Sequence, residues 1–324
     1  MPRTTLRSAI LGAMDAAAFS ESLSSVLDGA AITDLRRLSG GASRETWWFL
    51  ADGRPTIVQR QRAGDQRDMM IEADVVRAAR AAGVPVPELL AAERQTDGAA
   101  FMVLEAVEGE TIARKILRDD DYATARENLV ADMGRALARV HAIDPAPLTK
   151  LVEIDQVAFY TDALDNLGQP HPVLELVRNW LIDHRPTSGR AAVVHGDFRL
   201  GNLIVGTTGL NAVIDWELAH IGDPMEDLGW LCVKAWRFGQ GPPVAGVGQY
   251  DELIAAYEAA AEVTIDRAAM HWWEVLGTWK WAIMCILQAN VHVSGASRSH
   301  ELAAIGRRVC ENEYDLLLSL EGKW

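Results

Sequence analysis

The chain has 324 residues, of which 49% are hydrophobic and 23% charged, and its formal net charge at pH 7 is -14. A globular chain of this length buries about three quarters of its unfolded surface, so a stable core needs no disulfide or structural metal. The acidic balance argues against a nucleic-acid partner, because nonspecific binding to phosphates needs a basic surface. An ordinary acidic surface and a cationic substrate both remain compatible with it.

Cysteine spacing and hydropathy predict a cytoplasmic protein without a membrane partner. The three cysteines are far apart and form no C-x-x-C pair, which is typical of reduced, packed thiols. Residues 1–18 are interrupted by Asp15 and have no convincing cleavage context, so we expect no signal peptide. The long apolar stretch at 272–293 contains charged side chains and is predicted to be a buried helix, not a membrane span.

The first hundred residues predict a small lobe rich in β-structure. The pair Asp52-Gly53 between two apolar runs is a hairpin signal. One later segment repeats apolar side chains on a helical face and ends at Gly83. Strands are predicted at 38–50, 56–60, 88–93 and 100–105, and helices at 20–31 and 69–82.

From residue 111 onward the pattern is mainly helical. The change in composition at 105–109 predicts a hinge between an N-terminal lobe, residues 1–105, and a C-terminal lobe, residues 106–324. Within the second lobe one compact β segment is predicted at 191–214. Helices are predicted at 121–143, 172–183, 251–263, 266–293 and 299–320.

The β segment carries the most informative side chains. Apolar strands flank a short loop that contains Asp197 and, five positions later, Asn202; Asp215 follows the next apolar strand. Phosphoryl transfer needs a carboxylate that accepts the proton of the attacking hydroxyl, and hard oxygen ligands that hold Mg²⁺ on the phosphates. A buried hairpin with turn-forming Asp and Asn residues is the alternative, but the spacing, order and flanking strands disfavour it.

The run His195-Gly196-Asp197, with Asn202 and then Val213-Ile214-Asp215, resembles the signature of the aminoglycoside phosphotransferase and choline kinase family, distant relatives of protein kinases. The resemblance implies an α+β, protein-kinase-like, two-lobed fold and ATP or GTP as co-substrate. It implies Asp197 as catalytic base and His195 as organiser of the loop. It also implies Asn202 and Asp215 as Mg²⁺ ligands. Arg199, two residues past the base, is expected near the transferring phosphate.

The N-terminal lobe contains a segment similar to the family's nucleotide-covering hairpin. Gly40 and Gly41 would let the backbone approach phosphates, and Ser43 would add a hydroxyl. By itself a Gly-Gly pair between strands is usually an ordinary turn. Its position before a strand that carries cations favours the nucleotide-binding interpretation.

The family needs a cation on the α- and β-phosphates, paired with a helix glutamate, for which Glu72 is well placed. This chain has no lysine at the corresponding site and offers Arg60 or Arg62. We expect Arg60, because it directly ends the apolar run, and an exposed Arg62. The resemblance further implies that backbone groups from Glu105 to Val107 contact the adenine, with the nucleotide held between the lobes.

A helix start is predicted after the β segment. Asp223 is a suitable N-cap, Pro224 fits the first helical position and Glu226 completes a capping box. In the family the acid at the position of Asp227 braces the catalytic loop. Farther on, Lys280 lies within an apolar helix, where a lysine must reach solvent or find a partner, so we expect it to contact either substrate or a buried acid.

The wording of these segments is most similar to a subgroup of kinase-like domains attached to acyl-CoA dehydrogenases. That subgroup implies a hydroxyacyl acceptor, including a hydroxyacyl-CoA thioester. A true aminoglycoside kinase is the alternative, and the acidic balance suits its cationic substrate. A non-catalytic pseudokinase is a third interpretation, but it predicts loss of the base or of a metal ligand. The sequence leaves monomer and homodimer open.

Overall fold

The computed structural model describes residues 16–38, 44–62, 67–95, 98–187 and 189–323, and the chain forms two compact units. The first unit comprises Met1–Ala73 and Glu88–Ala106, and the second comprises Asp74–Pro87 and Val107–Trp324. The segment 74–87 belongs to the second unit through contacts such as the bond from the Val213 amide to the Pro85 carbonyl, 2.7 Å.

The first unit is built on a five-stranded antiparallel sheet. The strands are β1 Ile32–Arg37, β2 Arg44–Ala51, β3 Arg54–Gln61, β4 Leu89–Arg94 and β5 Ala100–Glu105; helix α1 spans Ala16–Val26, and α2, Met69–Ala81, begins in this unit. The strand order in the sheet is β1-β2-β3-β5-β4, so only the last pair departs from chain order. Apolar side chains of the sheet pack against α1 in a core of Phe19, Leu23, Phe49, Val58, Phe101 and Val103.

The predicted hairpin is confirmed. Ala51 pairs with Arg54, and Asp52 and Gly53 between them both have positive φ, 48° and 79°, as a two-residue primed turn requires. Strand β1 was not predicted, and the helix predicted at 20–31 ends earlier, at Val26. The sequence pattern does not indicate β1, because the strand is irregular and mostly exposed and Asp34 within it has a positive φ.

The second unit is mainly helical. Its helices are α3 Ala113–Arg118, α4 Ala123–Val140, α5 Gln156–Leu167, α6 Pro172–Asp183, α7 Met225–Cys232, α8 Tyr250–Ala261, α9 Arg267–Val293, α10 His300–Ile305 and α11 Arg308–Leu320. Apolar side chains of the long helix α9 form a core with α5, α6 and α11, in which Trp279 is fully buried. In the described part of the chain, no helix combines the length and apolar character needed to cross a membrane.

The helical predictions for this unit were incomplete, and the short helix α3 was among the elements not predicted. The helix predicted at 299–320 is interrupted at Gly306, which lies so close to α9 that an added Cβ would be 2.7 Å from the Ala289 side chain. Helix α5 was not predicted, although its ends have ordinary caps. Asp155 accepts from the Ala158 amide at the start, and Gly168 ends the helix with a φ of 63°.

Two short antiparallel pairs of strands hold the informative loops. β6 Ala192–Val194 pairs with β9 His220–Gly222, and β7 Leu203–Val205 pairs with β8 Leu210–Val213. The chain leaves β6 at His195 and enters β7 after Asn202, so the loop between them is anchored at both ends. Strand β9 lies beyond the predicted β segment. Its three residues are too few to show an alternating pattern.

Candidate active site

The loop after β6 begins with a backbone turn that only glycine fits well. Gly196 has a φ of 78°, and a Cβ at this position would collide with the carbonyl oxygen of Leu218. The two amides of this turn point at one carboxylate, since the backbone N–H groups of His195 and Gly196 donate to Asp227 at 2.7 and 2.9 Å. The Asp227 side chain therefore holds the start of the loop.

Asp227 is completely buried and has a third partner. The Nε2 atom of His141 lies 3.1 Å from Oδ2 of Asp227, and its Nδ1 atom lies 2.8 Å from the Tyr257 hydroxyl. Burial disfavours the charged carboxylate, but hydrogen bonding with His141 and the charge interactions outweigh it, so the pKa of Asp227 is below its usual value. The ionised acid is thus matched to a structural role as acceptor of backbone amides.

His195 is held in one tautomer. Its Nδ1 accepts from the Asp197 amide at 3.2 Å, so the proton is on Nε2, which donates to the Ile214 carbonyl at 3.0 Å. Burial lowers the pKa of His195 below its usual value of 6.5, which keeps the ring neutral at pH 7. The neutral imidazole joins the Asp197 loop to the end of β8. Its role as organiser of the loop, which the resemblance implies, stays a prediction.

The Asp197 carboxylate is held by three different donors. Arg199 Nε donates to both oxygens, at 3.0 and 3.2 Å, Asn202 Nδ2 donates to Oδ2 at 2.6 Å, and the Trp230 indole donates to Oδ1 at 2.8 Å. The side chain remains 14% exposed. A carboxylate with a defined orientation and an accessible face is suited to accept a proton from a hydroxyl group.

Asn202 and Asp215 occupy adjacent ends of one strand pair. Asn202 precedes β7, and its carbonyl accepts from the Ile214 amide at 3.0 Å, one residue before Asp215. Asp215 has a φ of 67°, a left-handed conformation that aspartate tolerates better than most residues. The structure therefore brings the two predicted oxygen ligands to the same end of the β7–β8 pair.

Asn202 and Asp215 suit a Mg²⁺ ion that is shared with nucleotide phosphates, and not a metal that is held entirely by protein side chains. Across the described ranges, no cluster of three or more His, Cys, Asp or Glu side chains is arranged to hold a metal ion. Mg²⁺ usually keeps several waters and binds through one or two protein ligands together with substrate phosphates. The carboxylate of Asp215 and the amide oxygen of Asn202 are hard donors of this kind, so the residues present suit a metal that arrives with a nucleotide.

Arg199 is the cation nearest the base. Besides its contact with Asp197, its guanidinium lies over the Trp236 ring, 4.9 Å from the centroid, and its side chain is 27% exposed. Trp236 in turn packs against Trp230, with centroids 5.1 Å apart. Arg199 thus has a partly accessible position beside the carboxylate, as expected for a contact to the transferring phosphate, although that role remains a prediction.

The predicted capping box at α7 is only half correct. The Asp223 carboxylate accepts from the Met225 amide at 2.9 Å, as an N-terminal cap does. Glu226 instead turns inward, where Oε2 lies 3.1 Å from His220 and Oε1 lies 3.3 Å from the Lys280 ammonium. Lys280 therefore contacts a buried acid, the second of the two partners that the sequence suggested.

In the first unit the structure places an unexpected arginine against Glu72. The carboxylate forms an ion pair with Arg44 of β2, and the two side chains are only 7% and 5% exposed. Arg60 donates from Nε to Gln95 at 2.9 Å, and Arg62 is exposed. Which arginine contacts phosphate stays a prediction, and Arg44 joins the candidates.

The remaining predicted nucleotide contacts involve Gly40, Gly41, Ser43, Glu105 and Val107. Gly40, Gly41 and Ser43 are outside the described residues. Glu105 is the last residue of β5, where its amide donates to the Glu88 carbonyl at 2.9 Å, and Val107 is the first residue of the second unit after β5. Their contacts with adenine remain predictions.

A carboxylate on a loop between short strands, followed by two oxygen ligands, is typical of kinase-like phosphotransferases. The chain belongs to the phosphotransferase enzyme family, whose model matches residues 34–273. The fold is the protein-kinase-like fold of that family. This confirms both the resemblance and the predicted fold class.

Among curated proteins the chain is similar to members of an acyl-CoA dehydrogenase family. It is 26% identical over 242 residues to acyl-CoA dehydrogenase family member 10 of Mus musculus, which covers 67% of this chain and 22% of the relative. It is 24% identical over 320 residues to family member 11 of Gallus gallus, which covers 87% of this chain and 40% of the relative. The chain therefore spans less than half the length of either relative.

Solved structures share the fold at low identity. A protein assigned as an aminoglycoside phosphotransferase from Ralstonia eutropha superposes with a TM-score of 0.74 at 21% identity, covering 92% of this chain and 96% of that one. A choline/ethanolamine kinase family protein from Mesorhizobium loti has a TM-score of 0.66 at 20% identity, with 94% of each chain covered. Spectinomycin phosphotransferase, in complex with ADP and spectinomycin, has a TM-score of 0.66 at 12% identity, covering 95% and 99%.

Sequence reasoning missed several side chains that contact the predicted ones, among them Trp230, His220 and Arg44. Trp230 lies three residues after Asp227 on α7, so both face the same loop, and this i, i+3 spacing was the available signal. His220 and Arg44 had no comparable signal. Their partners, Glu226 and Glu72, are recognised only once the chain is folded.

Proposed function

We propose that this protein transfers the γ-phosphoryl group of ATP or GTP to a hydroxyl group of a small molecule, in a reaction that depends on Mg²⁺. The observation that carries the proposal is the orientation of the Asp197 carboxylate by three donors, Arg199, Asn202 and Trp230. Asp215 follows β8 at the same end of the β7–β8 pair as Asn202. Family membership supports phosphotransfer as the reaction class. The ADP in one structural neighbour supports a nucleotide co-substrate.

In this mechanism Asp197 accepts or orients the proton of the attacking hydroxyl. Asn202 anchors the same carboxylate and, with Asp215, would hold Mg²⁺, which neutralises charge on the phosphates when bound. Arg199 lies beside the carboxylate and can rotate toward negative charge that develops on the transferred group. His195 and Asp227 contribute by keeping the backbone of the loop in place.

For the acceptor we favour a hydroxyacyl compound, including a hydroxyacyl-CoA thioester. The support is the similarity to acyl-CoA dehydrogenase family members in two vertebrates. An anionic acceptor needs positive partners. Among the described residues Arg199 lies beside Asp197 with a partly exposed side chain, whereas Lys280 is buried and paired with Glu226. The acceptor is therefore expected to place its anionic part within reach of Arg199.

Two other functions are weighed against this one. The net charge of -14 favours a cationic acceptor, so an aminoglycoside remains the second candidate. A pseudokinase scaffold would lack the base or a metal ligand, yet Asp197, Asn202 and Asp215 are all present. Catalysis is therefore favoured over a purely structural role.

The test is a panel of hydroxylated acceptors scored by ADP release and by mass of the phosphorylated product. The panel contains hydroxyacyl-CoAs, the free hydroxy acids, homoserine, choline and several aminoglycosides, each with MgATP and with MgGTP. Wild-type protein is compared with Asp197→Asn, which preserves the shape of the side chain. We expect phosphorylated product only from the acceptors that carry a hydroxyacyl group, and with Asp197→Asn at a rate about 10²- to 10⁴-fold lower than with the wild type.

Each outcome of the panel discriminates between the functions. Product from aminoglycosides alone would replace the hydroxyacyl proposal with the cationic one. Nucleotide binding without product from any acceptor, and with equal ADP release by Asp197→Asn, would favour the pseudokinase. Product at wild-type rates from Asp197→Asn would show that another group is the base.

A further inference from the structure

A buried lysine lies directly behind the loop that carries Asp197. Lys280 is on α9 between two tryptophans, and only 4% of it is exposed. A lysine at such a depth costs folding free energy unless its charge is paired. The pairing acid is Glu226 of α7, itself 4% exposed.

The Lys280 ammonium makes four contacts around this position. Nζ donates to the Gly196 carbonyl at 3.2 Å and to Oε1 of Glu226 at 3.3 Å. It also lies over two aromatic rings, 4.8 Å from the Trp230 centroid and 5.7 Å from that of Tyr160. Glu226 has a second partner, because its other oxygen lies 3.1 Å from His220, which Gln156 also contacts.

Two of the groups that Lys280 contacts are linked directly to Asp197, the Gly196 carbonyl through the peptide bond and the Trp230 indole through a hydrogen bond. The Gly196 carbonyl belongs to the peptide that joins Gly196 to Asp197, so fixing its oxygen fixes the plane from which the Asp197 side chain leaves. The Trp230 indole donates directly to Oδ1 of Asp197 at 2.8 Å. A cation over the face of an indole draws electron density from the ring and strengthens its N–H as a donor.

We propose that Lys280 is a positioning residue, which orients the Asp197 carboxylate through the Gly196 carbonyl and the Trp230 indole. Glu226 compensates the charge of Lys280, so the lysine acts on the loop and not on an anionic substrate. The inference deepens the proposed function, because it rests on Asp197 as the base. Its physical basis, a connected set of contacts from α9 and α7 to one carboxylate, can be tested without any acceptor.

The first experiment observes the hydrogen bond itself. The indole N–H resonance of Trp230, assigned by its loss in Trp230→Phe, is followed by ¹H–¹⁵N NMR of the full chain. We compare the wild type, Lys280→Arg, and the double variant Lys280→Met with Glu226→Gln, which leaves no unpaired buried charge. In the double variant the indole proton should move to lower frequency, because its hydrogen bond to Asp197 weakens, and Lys280→Arg should retain most of the wild-type shift.

The control removes a second, largely buried ion pair of α9 whose partners differ from those of Lys280. Arg237 and Glu274 are 12% and 3% exposed and pair at 2.8 Å, and Arg237 also donates to the Cys232 carbonyl at the end of α7. The double variant Arg237→Met with Glu274→Gln should leave the Trp230 resonance in place. An unchanged Trp230 resonance in the Lys280 and Glu226 double variant, with a folded spectrum, would overturn the proposal, and so would an equal displacement in the control.

The second experiment measures the consequence for turnover. With MgATP, and with water or the best acceptor from the panel, the Lys280 and Glu226 double variant should lose about 10- to 100-fold in kcat, the typical effect of a displaced catalytic group. KM for MgATP should change little, and Lys280→Arg should recover much of the loss. A change in KM at constant kcat would contradict a positioning role. If no phosphoryl transfer is found with any protein, the proposed function fails while the NMR result still tests the contacts.

Discussion

The carboxylate of Asp227 accepts a 2.7 Å hydrogen bond from the backbone amide of His195, and the next amide along the chain donates to the same side chain. The two residues are 32 positions apart, on α7 and at the end of β6. One buried acid therefore holds the backbone from which both His195 and Asp197 project.

Replacing this acid should destabilise the second unit without removing any predicted catalytic group. Asp227→Asn leaves one acceptor oxygen for two amides and places an NH₂ group where donors already converge. We expect a loss of about 2–4 kcal/mol in the free energy of unfolding, since charged hydrogen bonds of a fully buried group are lost. Urea denaturation followed by circular dichroism measures it. Asp132→Asn, which changes a more exposed acid bonded to the Leu210 amide, should cost about 1 kcal/mol or less.

The stability contributed by Asp227 should also depend on pH in a defined direction. Its folded pKa is below the ordinary value of 3.8, so the ionised acid stabilises the fold fully above that value. As pH falls below about 3.8, the unfolded chain takes up the proton first and the contribution declines until the folded acid is protonated too. The stability difference between wild type and Asp227→Asn should therefore shrink on acidification. A difference that grows at low pH would contradict the direction of the shift.

Asp197→Asn should separate catalysis from nucleotide binding. The amide cannot accept a proton from the acceptor hydroxyl, so turnover should fall by about 10²–10⁴, the usual contribution of a positioned base. Nucleotide affinity, measured by fluorescence of a labelled ATP analogue, should be largely unchanged. A parallel loss of affinity would indicate that Asp197 contributes mainly to binding metal and phosphate.

Asp215→Asn should weaken the part of nucleotide binding that depends on Mg²⁺. Asparagine tolerates the left-handed backbone at this position, so the substitution removes the charge without adding strain. We expect affinity for MgATP to fall by about tenfold or more, because a hard cation loses a carboxylate ligand. Affinity for ATP in the presence of a chelator should stay at the wild-type level. Equal losses with and without Mg²⁺ would count against a metal-binding role.

The buried pair in the first unit predicts a contrast between single and double variants. Arg44→Met leaves the Glu72 carboxylate buried without this partner, which should cost about 3–5 kcal/mol in the free energy of unfolding. Adding Glu72→Gln should recover much of that loss. Arg94→Met breaks the more exposed pair with Asp68 and should cost at most about 1 kcal/mol. Thermal and urea unfolding provide the comparison, and equal costs for Arg44→Met and Arg94→Met would contradict it.

Thiol reactivity should distinguish the three cysteines. Burial raises the pKa of Cys285 to about 12 and that of Cys232 well above its usual value, so neither forms thiolate readily at pH 8. Cys310 is exposed. A chromogenic disulfide reagent should therefore modify one thiol rapidly in the native protein and three after unfolding. Cys310→Ser should abolish the rapid phase, and any other result would place the reactive thiol elsewhere.

The sequence by itself determined which side chains form the proposed reaction centre, because they are close together in the chain. The spacing from His195 to Asp215 and the apolar strands on either side of it are local features. A short loop between two short strands has few conformations in which both strands remain paired. The spacing therefore specified which side chains meet, and the hairpin at Asp52 and Gly53 was predictable for the same reason.

Only the tertiary structure decided which distant side chains support that centre. Periodicity shows that Lys280 faces inward, but the identity of its neighbours depends on how α9 packs against α7. The three arginines at 44, 60 and 62 are chemically equivalent in the sequence, and only the folded structure shows that Arg44 pairs with Glu72 of α2. Contacts between residues far apart in the chain arise from the packing of whole elements, and no local pattern records which elements will be neighbours.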